Sequence, residues 1–233
     1  MIDFTNRKVV VTGGCGALGT AVVGALLTQG ASVYVPWISR AGVDRFPHRD
    51  HPHVTLVEVQ LGDEVKVSRF YSGVGGPWAS IHVAGGFAMA PIATSHRAAF
   101  MAQIETNLIS CVLACRAAVI AMRRTGQGGR IVNVSARPGI EPRQGAGMTA
   151  YATSKAAVAA FTEALAAEIV GDDILVNAVA PGTLDTPANR AAMPKADPKK
   201  WASLDDVAAT ILYLASPDNR VTSGGIVPVY GRS

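Results

Sequence analysis

Hydrophobic and polar positions along the chain predict strands, turns and helices in regular succession. Residues 8–12, KVVVT, form a β-branched run typical of a buried parallel strand, and a glycine-rich turn follows at once. A helical pattern over residues 20–29 ends at Gly30, and residues 31–36, ASVYVP, predict a second strand that Pro36 ends. Strand, glycine turn, helix and strand in this order are typical of a βαβ unit that binds a dinucleotide.

The same alternation continues to the end of the chain. Further strands are predicted at residues 53–61, 80–84, 130–135, 174–181 and 225–229. Helical patterns lie between them, at residues 64–71, 98–124, 151–170 and 204–214. Residues 183–203 show little periodicity and predict a long loop or flap. The pattern therefore predicts an α/β fold, a doubly wound parallel sheet of the Rossmann type with helices on both faces, in a single domain over residues 1–233.

Composition narrows the possible partners. The net charge is only +4, and the basic residues are scattered without a Lys/Arg run, so we expect no nucleic-acid partner. Hydrophobic residues make up 49% of the chain, which is enough for subunit interfaces as well as a core. Together with the Ala-rich helical patterns at 98–124 and 151–170, this favours a homo-oligomer, either a dimer or a tetramer.

Neither the cysteines nor the apolar segments point to a secreted, metal-binding or membrane protein. Cys15, Cys111 and Cys115 have no spacing typical of a disulfide framework or a metal site, so we expect reduced thiols and no metal. The first residues lack the apolar segment of a signal peptide. The apolar run 108–122 contains Arg116 and is too short to span a bilayer. We expect a soluble, cytoplasmic protein.

The glycine-rich turn, residues 13–19, is the first candidate binding site. Glycines after a first strand allow a tight turn and a close backbone approach, and the helix that follows offers free N–H groups to a pyrophosphate. A site for NAD usually has an acid after the second strand, whereas this chain has Ser39 and Arg40. These two side chains could bind a 2′-phosphate, which favours NADP, with NAD possible. Arg40 could equally be an exposed loop residue.

A second group of residues suits proton transfer. Tyr151 and Lys155 lie four residues apart on a predicted helix, so their side chains share one face. A neighbouring cation stabilises a phenolate and brings the pKa of the phenol closer to neutral pH. Ser135 ends the fifth strand and Pro181-Gly182 end the sixth, so topology places all of them around one crevice at the carboxyl ends of the strands.

Taken together, these motifs resemble the short-chain dehydrogenase/reductase family over essentially the whole chain. The matching pieces, in order, are TGGCGALG, VAGG, Asn107, Ser135, YATSK and PGTLDTP. The resemblance implies hydride transfer between a nicotinamide cofactor and a small-molecule carbonyl or alcohol.

The resemblance also implies roles for individual residues. Tyr151 would be the acid/base, Ser135 would hold the substrate oxygen, and Asn107 would hold a water that relays protons. Lys155 would bind the nicotinamide ribose and lower the pKa of Tyr151. The implied cofactor-binding residues are Gly13, Cys15, Gly16, Ala17, Leu18, Gly19, Ser39, Arg40, Gln60, Leu61, Ala84, Gly85, Tyr151, Lys155, Pro181, Gly182, Thr183 and Thr186.

Three motifs depart from the family pattern, at Ala17, at Gln60 and in the NNAG motif, which reads His82-Val83-Ala84-Gly85 and so lacks the structural contacts of both asparagines. Ala17 stands where a glycine is usual, and its methyl group could still fit. Gln60 replaces the aspartate that usually meets the adenine, and its amide could substitute in part. His82 replaces the first asparagine of the NNAG motif, and we interpret it as a packed residue at a strand end, not as a catalytic one.

The late loop leaves the function open at a finer level. Residues 183–201 resemble the corresponding segment of dihydropteridine reductases, so a pterin-type reductase is an alternative to a carbonyl reductase. A cofactor-binding sensor without catalysis is another alternative. The expected pocket lining, residues 87–96, 137–148 and 183–201, combines Met, Ala and Pro with arginines, so an apolar, an acidic or a carrier-bound ketone would each be compatible.

Overall fold

A computed structural model describes residues 2–232. Its strands are β1 (Lys8–Thr12), β2 (Ser32–Trp37), β3 (Val54–Glu58), β4 (Ala79–His82), β5 (Gly129–Val134), β6 (Ile174–Pro181) and β7 (Ile226–Val229). Its helices are α1 (Ala17–Thr28), α2 (Arg40–Asp44), α3 (Glu64–Val74), α4 (Arg97–Ile104), α5 (Ser110–Thr125), α6 (Arg137–Ile140), α7 (Thr149–Glu168), α8 (Pro187–Ala192) and α9 (Leu204–Ala215). A π-helical segment, Glu105–Ile109, joins α4 to α5.

The strands form one parallel sheet in the order β3-β2-β1-β4-β5-β6-β7. The order of the strands reverses between β1 and β4, and in sheets of this kind ligands bind outside the carboxyl ends of the strands at such a point. The predicted doubly wound fold is confirmed.

Alternating residues of the central strands pack on opposite layers of helices. Val9 and Val11 of β1 belong to the core formed with α1 and α9, whereas Val10 belongs to the core formed with α3, α5 and α7. Both faces of the central strands are therefore buried, which explains the continuous apolar run of β1.

Several predicted boundaries in the first half of the chain differ from the structure: the third strand ends at Glu58 instead of residue 61, the helix after it continues to Val74, and β2 and α1 differ as well. Pro36 lies inside β2 and does not end it. The pairing of β2 with β1 runs only from Ser32 to Tyr34, while its pairing with β3 continues to Trp37. The missing N–H of Pro36 therefore falls beyond the β1 ladder, at a position where a proline is tolerated. Helix α1 begins at Ala17, three residues before the predicted start, because the glycine turn leads directly into its first turn.

The segment before α7 and the predicted loop at residues 183–203 both contain short helices. Residues 136–148 hold α6 and a 3₁₀ turn, Pro142–Gly145, and residues 183–203 hold α8 and a 3₁₀ turn, Pro198–Lys200. The ends of the second loop are joined, since Leu184 bridges to Ala202 in a parallel arrangement. The loop therefore leaves the sheet and returns to it at nearly the same place.

The helical segment Arg97–Thr125 is continuous and longer than the apolar run in the sequence. Its length and a mean hydropathy of 1.6 would allow it to cross a membrane, although half of that window is buried inside the protein. Core helices of soluble proteins pass the same test. Here Cys111 and Cys115 on its inner face pack into the core beside the sheet, which is the position of a core helix.

Candidate active site

Two cavities adjoin at the carboxyl edge of the sheet. One has a volume of about 520 Å³ and the other about 400 Å³. They share lining residues from the glycine turn and from the segment after β4, namely Gly13, Gly16, Ala84 and Gly85. The two cavities therefore form a continuous groove across the point where β1 and β4 diverge, the usual ligand position in this fold.

The glycine turn is shaped for a close backbone approach. Gly13 has a φ of +69°, and a Cβ atom there would lie 2.6 Å from the backbone nitrogen of Ala84. A Cβ atom on Gly19 would collide with the carbonyl oxygen of Gly13. Helix α1 starts after Gly16, which has no side chain to cap it, so its first N–H groups face the groove. These features fit the pyrophosphate of a dinucleotide, and Ala17 is exposed and lines the smaller cavity at the start of α1.

The larger cavity contains most of the residues predicted to hold the adenosine half of a cofactor. Cys15, Ser39, Gln60 and Leu61 all line it. Arg40 does not, because its side chain is 77% exposed and its Nε lies 3.2 Å from Asp44 on the next turn of α2. A role for Arg40 at the 2′-phosphate stays a prediction, since its side chain is paired with Asp44 in this structure.

A different arginine lies at this end of the groove. Arg45, the residue at the end of α2, lines the larger cavity together with Trp37. The sequence predicts a phosphate-binding residue directly after the second strand and so does not single out Arg45. In the structure α2 carries the chain back toward the cavity. A short helical pattern after Ser39, which caps α2 by accepting from the Gly42 N–H at 3.3 Å, was the available signal.

The smaller cavity brings together three of the four predicted catalytic residues. Ser135, Tyr151 and Lys155 line it, with Pro181 and Gly182 opposite. The Ser135 hydroxyl donates to the backbone oxygen of Lys155 at 2.7 Å, and the Lys155 ammonium donates to the Val134 oxygen at 2.8 Å. These bonds tie the first turns of α7 to the end of β5, so the side chains converge because strand and helix are held together.

Burial dominates the pKa values of the tyrosine and the lysine. It raises the pKa of Tyr151 to about 12 and lowers the pKa of Lys155 to about 8. The Lys155 nitrogen lies 6.0 Å from the centre of the Tyr151 ring. In the protein alone the phenol is therefore protonated at neutral pH, which differs from the lowered pKa expected from the i,i+4 spacing, since desolvation outweighs the neighbouring cation.

Asn107 lies outside the lining of both cavities and holds the segment after β4. Its Oδ1 accepts from the Gly86 N–H at 2.8 Å, and its Nδ2 lies 3.0 Å from the Gly86 oxygen and 3.0 Å from the Ser154 hydroxyl. The π-helical segment rotates this side chain away from the regular helix register. Asn107 therefore connects the glycine-rich segment to α7 beside Tyr151.

The two threonines after Gly182 do not line either cavity. The Thr186 hydroxyl accepts from the Asn189 N–H at 3.1 Å and so caps α8, while the Thr183 oxygen accepts from the Ala202 N–H at 3.0 Å. Of the flap residues, Leu184 reaches the smaller cavity instead.

His82 is fully packed behind the groove, as the sequence interpretation held. Its ring nitrogens lie 2.8 Å from the Ser80 hydroxyl and 2.8 Å from the Asn133 oxygen. Cys111 and Cys115 lie against the same residues, and the ligand atoms of these two cysteines and His82 are within 4.8 Å of one another. The cysteine spacing gave no sign of this cluster, whose polar atoms satisfy one another inside the core.

Comparison with known proteins agrees with this architecture. Residues 7–197 match the model of a family described as short chain dehydrogenase. The chain is 30% identical to (2S)-[(R)-hydroxy(phenyl)methyl]succinyl-CoA dehydrogenase subunit BbsD of Thauera aromatica, covering 99% of this chain and 97% of the relative. It is 28% identical to Carbonyl reductase [NADPH] 2 of Sus scrofa, over 97% and 96% of the two chains.

A solved structure from Burkholderia thailandensis, described as an oxidoreductase of the short chain dehydrogenase/reductase family, has the same fold. Its TM-score with this chain is 0.86 at 28% identity, covering 97% of this chain and 91% of the other. The family match, the relatives and the groove at the switch point of the sheet agree. The chain therefore belongs to the short-chain dehydrogenase/reductase family of NAD(P)-dependent oxidoreductases.

Proposed function

We propose that the protein transfers a hydride between NADP(H) and a carbonyl or alcohol substrate, with Tyr151 as the proton donor and acceptor. One observation carries the proposal. Tyr151, Ser135 and Lys155 line one cavity, and that cavity is continuous with the groove formed by the glycine turn. A reacting carbonyl can therefore lie beside an acid and a second hydroxyl, close to where the nicotinamide end of a dinucleotide would lie.

When bound, a reduced nicotinamide supplies the hydride that the carbonyl carbon receives. The carbonyl oxygen gains negative charge as this happens and needs both a hydrogen bond and a proton. Tyr151 is protonated at neutral pH because burial raises its pKa to about 12, so it can donate that proton. The Ser135 hydroxyl, which donates to the Lys155 backbone in the protein alone, would turn toward the substrate oxygen.

Lys155 would stabilise the charge that this proton transfer leaves behind. Its ammonium is fixed to the Val134 oxygen at 2.8 Å and faces the cavity, where it can stabilise the phenolate left on Tyr151. With the phenol protonated at rest, the protein is set up for carbonyl reduction at neutral pH, and oxidation of an alcohol requires a higher pH.

The preference for NADP rests on Arg45 and Ser39, which line the adenosine end of the groove. An arginine binds a phosphate through charge-assisted hydrogen bonds. No Asp or Glu follows β2 at the position where an acid would bind the ribose hydroxyls of NAD. The porcine relative is named for NADPH, which supports the same preference.

The experiment is cofactor consumption over a panel of ketones, aldehydes and a quinonoid dihydropterin, with NADPH and NADH in parallel. We expect oxidation of NADPH with carbonyl substrates and weaker use of NADH. Arg45→Ala should raise the Kd for NADPH about tenfold and leave the Kd for NADH nearly unchanged, whereas the matched variant Arg40→Ala should change neither. Equal use of both cofactors by the wild type would refute the NADP preference.

The same panel tests the two alternatives. Turnover of the dihydropterin in preference to every ketone would favour the pterin-type reductase. Binding of NADPH with no oxidation on any substrate would refute catalysis and favour the sensor. The homo-oligomer also stays a prediction, which light scattering of the purified protein tests.

A further inference from the structure

We propose that the substrate is an uncharged carbonyl compound carrying an aromatic or extended apolar group, which packs against Phe87 and Met89. This inference rests on the proposed carbonyl chemistry at Tyr151. It selects one of the substrate classes that the sequence left open.

The first support is the position of Phe87. Its ring meets the ring of Tyr151 edge to face, with 4.9 Å between the centroids and an interplanar angle of 83°. Phe87 lines the same cavity as Ser135 and Lys155, yet it is 61% exposed. A large aromatic side chain thus stands beside the reacting hydroxyl with most of its surface uncovered, where the neighbouring group of a bound carbonyl compound would cover it.

The second support is the character of the segment that carries Phe87. Residues 83–95 contain no charged side chain. Met89 is 60% exposed and Ile92 is 69% exposed. The end of the Met89 side chain lies 3.9 Å from where a side chain on Gly147 would begin, so Met89 reaches the segment that leads into α7. The exposed apolar surface therefore continues from the catalytic tyrosine along one wall of its approach.

The third support is the pairing of the charged side chains on the two loops expected to line the pocket, residues 137–148 and 183–201. The Arg137 Nε lies 2.8 Å from Glu141, and Arg190 forms two hydrogen bonds to Asp185 at 2.6 and 2.7 Å. Each of these arginines is already paired with a carboxylate, which reduces its attraction for an anionic substrate. The other cations of these loops, Arg143, Lys195, Lys199 and Lys200, are exposed, and none of them lines the smaller cavity. A neutral apolar group of the substrate therefore matches the lining of this cavity better than an acidic group does.

The experiment compares three ketones with NADPH: acetophenone, 4-acetylbenzoate as its charged analogue, and hydroxyacetone as a small hydrophilic ketone. For the wild type we expect kcat/KM to be highest for acetophenone, by about tenfold or more over each of the other two. Phe87→Ala should lower the ratio of acetophenone to hydroxyacetone about tenfold, chiefly through the KM for acetophenone. Phe87→Leu should give an intermediate ratio because it keeps apolar surface without the ring.

Val221→Ala is the matched control, since Val221 is 88% exposed and precedes β7 at the opposite edge of the sheet. It should leave the ratio unchanged. Equal use of 4-acetylbenzoate and acetophenone, or a ratio that both Phe87 variants leave unmoved, would overturn this inference while the carbonyl chemistry stands. No reduction of these three ketones or of any other carbonyl compound in the panel would instead overturn the proposed function.

Discussion

Replacing Asn107 by alanine tests whether this residue acts by holding the cofactor-side segment in place. The wild-type side chain accepts from the Gly86 N–H, and its two amide protons are shared by the Gly86 oxygen, the Ser154 hydroxyl and, at 3.3 Å, the Gln103 side-chain oxygen, so three hydrogen bonds are counted. Asn107 is 1% exposed, so water does not replace these partners in the variant. At about 1 kcal/mol for each bond lost, the free energy of unfolding should fall by about 3 kcal/mol. For a chain of this length that corresponds to a drop in Tm of about 6–12 °C.

The assay is thermal unfolding followed by circular dichroism, without cofactor and at one fixed protein concentration, because binding and association both shift Tm. Asn189→Ala is the matched control. It makes the same chemical change but removes the side-chain hydrogen bond to the Leu184 oxygen, so we expect a loss of about 1 kcal/mol. An Asn107→Ala protein that melts with the control yet loses turnover would refute the anchoring role and favour the proton relay that the family resemblance implies.

Three further predictions concern the groove and the buried lysine. Burial lowers the pKa of Lys155 to about 8 in the folded protein, below its ordinary value of 10.5, so between these two pH values the folded state binds fewer protons than the unfolded state. In urea titrations the free energy of unfolding of the wild type, relative to Lys155→Met, should therefore rise from pH 8 to pH 10. A fall over this range would contradict the burial of the ammonium. Gly13→Ala should destabilise the protein and weaken NADPH binding, because the new Cβ would lie 2.6 Å from the Ala84 nitrogen. Gly73→Ala in α3, where no atom lies within 4 Å of the new Cβ, should instead stabilise the protein by about 0.5–1 kcal/mol. Equal effects of the two variants in calorimetry would contradict the close backbone approach at the glycine turn. Cys15 lines the larger cavity, so NADPH should slow its alkylation in mass spectrometry, and the two buried thiols should not react in either condition.

Strands with both faces buried were the most predictable part of the fold. β6 runs from Ile174 to Pro181, as its apolar sequence predicts. A strand whose two faces are both covered by helices is apolar over nearly its whole length, so the ends of the apolar run mark the ends of the strand. Pro36 misled the prediction of β2, since a proline ends a strand only where the ladder needs its N–H. That requirement depends on which neighbour the strand has, and pairing is a tertiary property.

The proposed catalytic residues could be brought together from the sequence more securely than the residues around them. Tyr151 and Lys155 are joined by local helix geometry, and Ser135 follows from the order of the strands. Arg45 reaches the groove because α2 turns the chain back, and the short helical pattern after Ser39 does not show where the chain goes next. Phe87 approaches Tyr151 across a distance of 64 residues in the chain, so only the folded structure reveals their contact.

The pKa values also depend on the tertiary structure. The i,i+4 spacing of Tyr151 and Lys155 predicts a favourable charge interaction, but it says nothing about how deeply the helix start is buried. Burial raises the pKa of the tyrosine and lowers that of the lysine, the reverse of what an exposed ion pair would do.

The central claim, that Tyr151 moves the proton, is tested most directly by Tyr151→Phe. The variant keeps the ring and its contact with Phe87 but loses the hydroxyl. Turnover of the best carbonyl substrate should fall by about a thousandfold, while the Kd for NADPH, measured by fluorescence, should stay within about twofold of the wild type. Turnover within about tenfold of the wild type, with NADPH still bound, would show that another group supplies the proton.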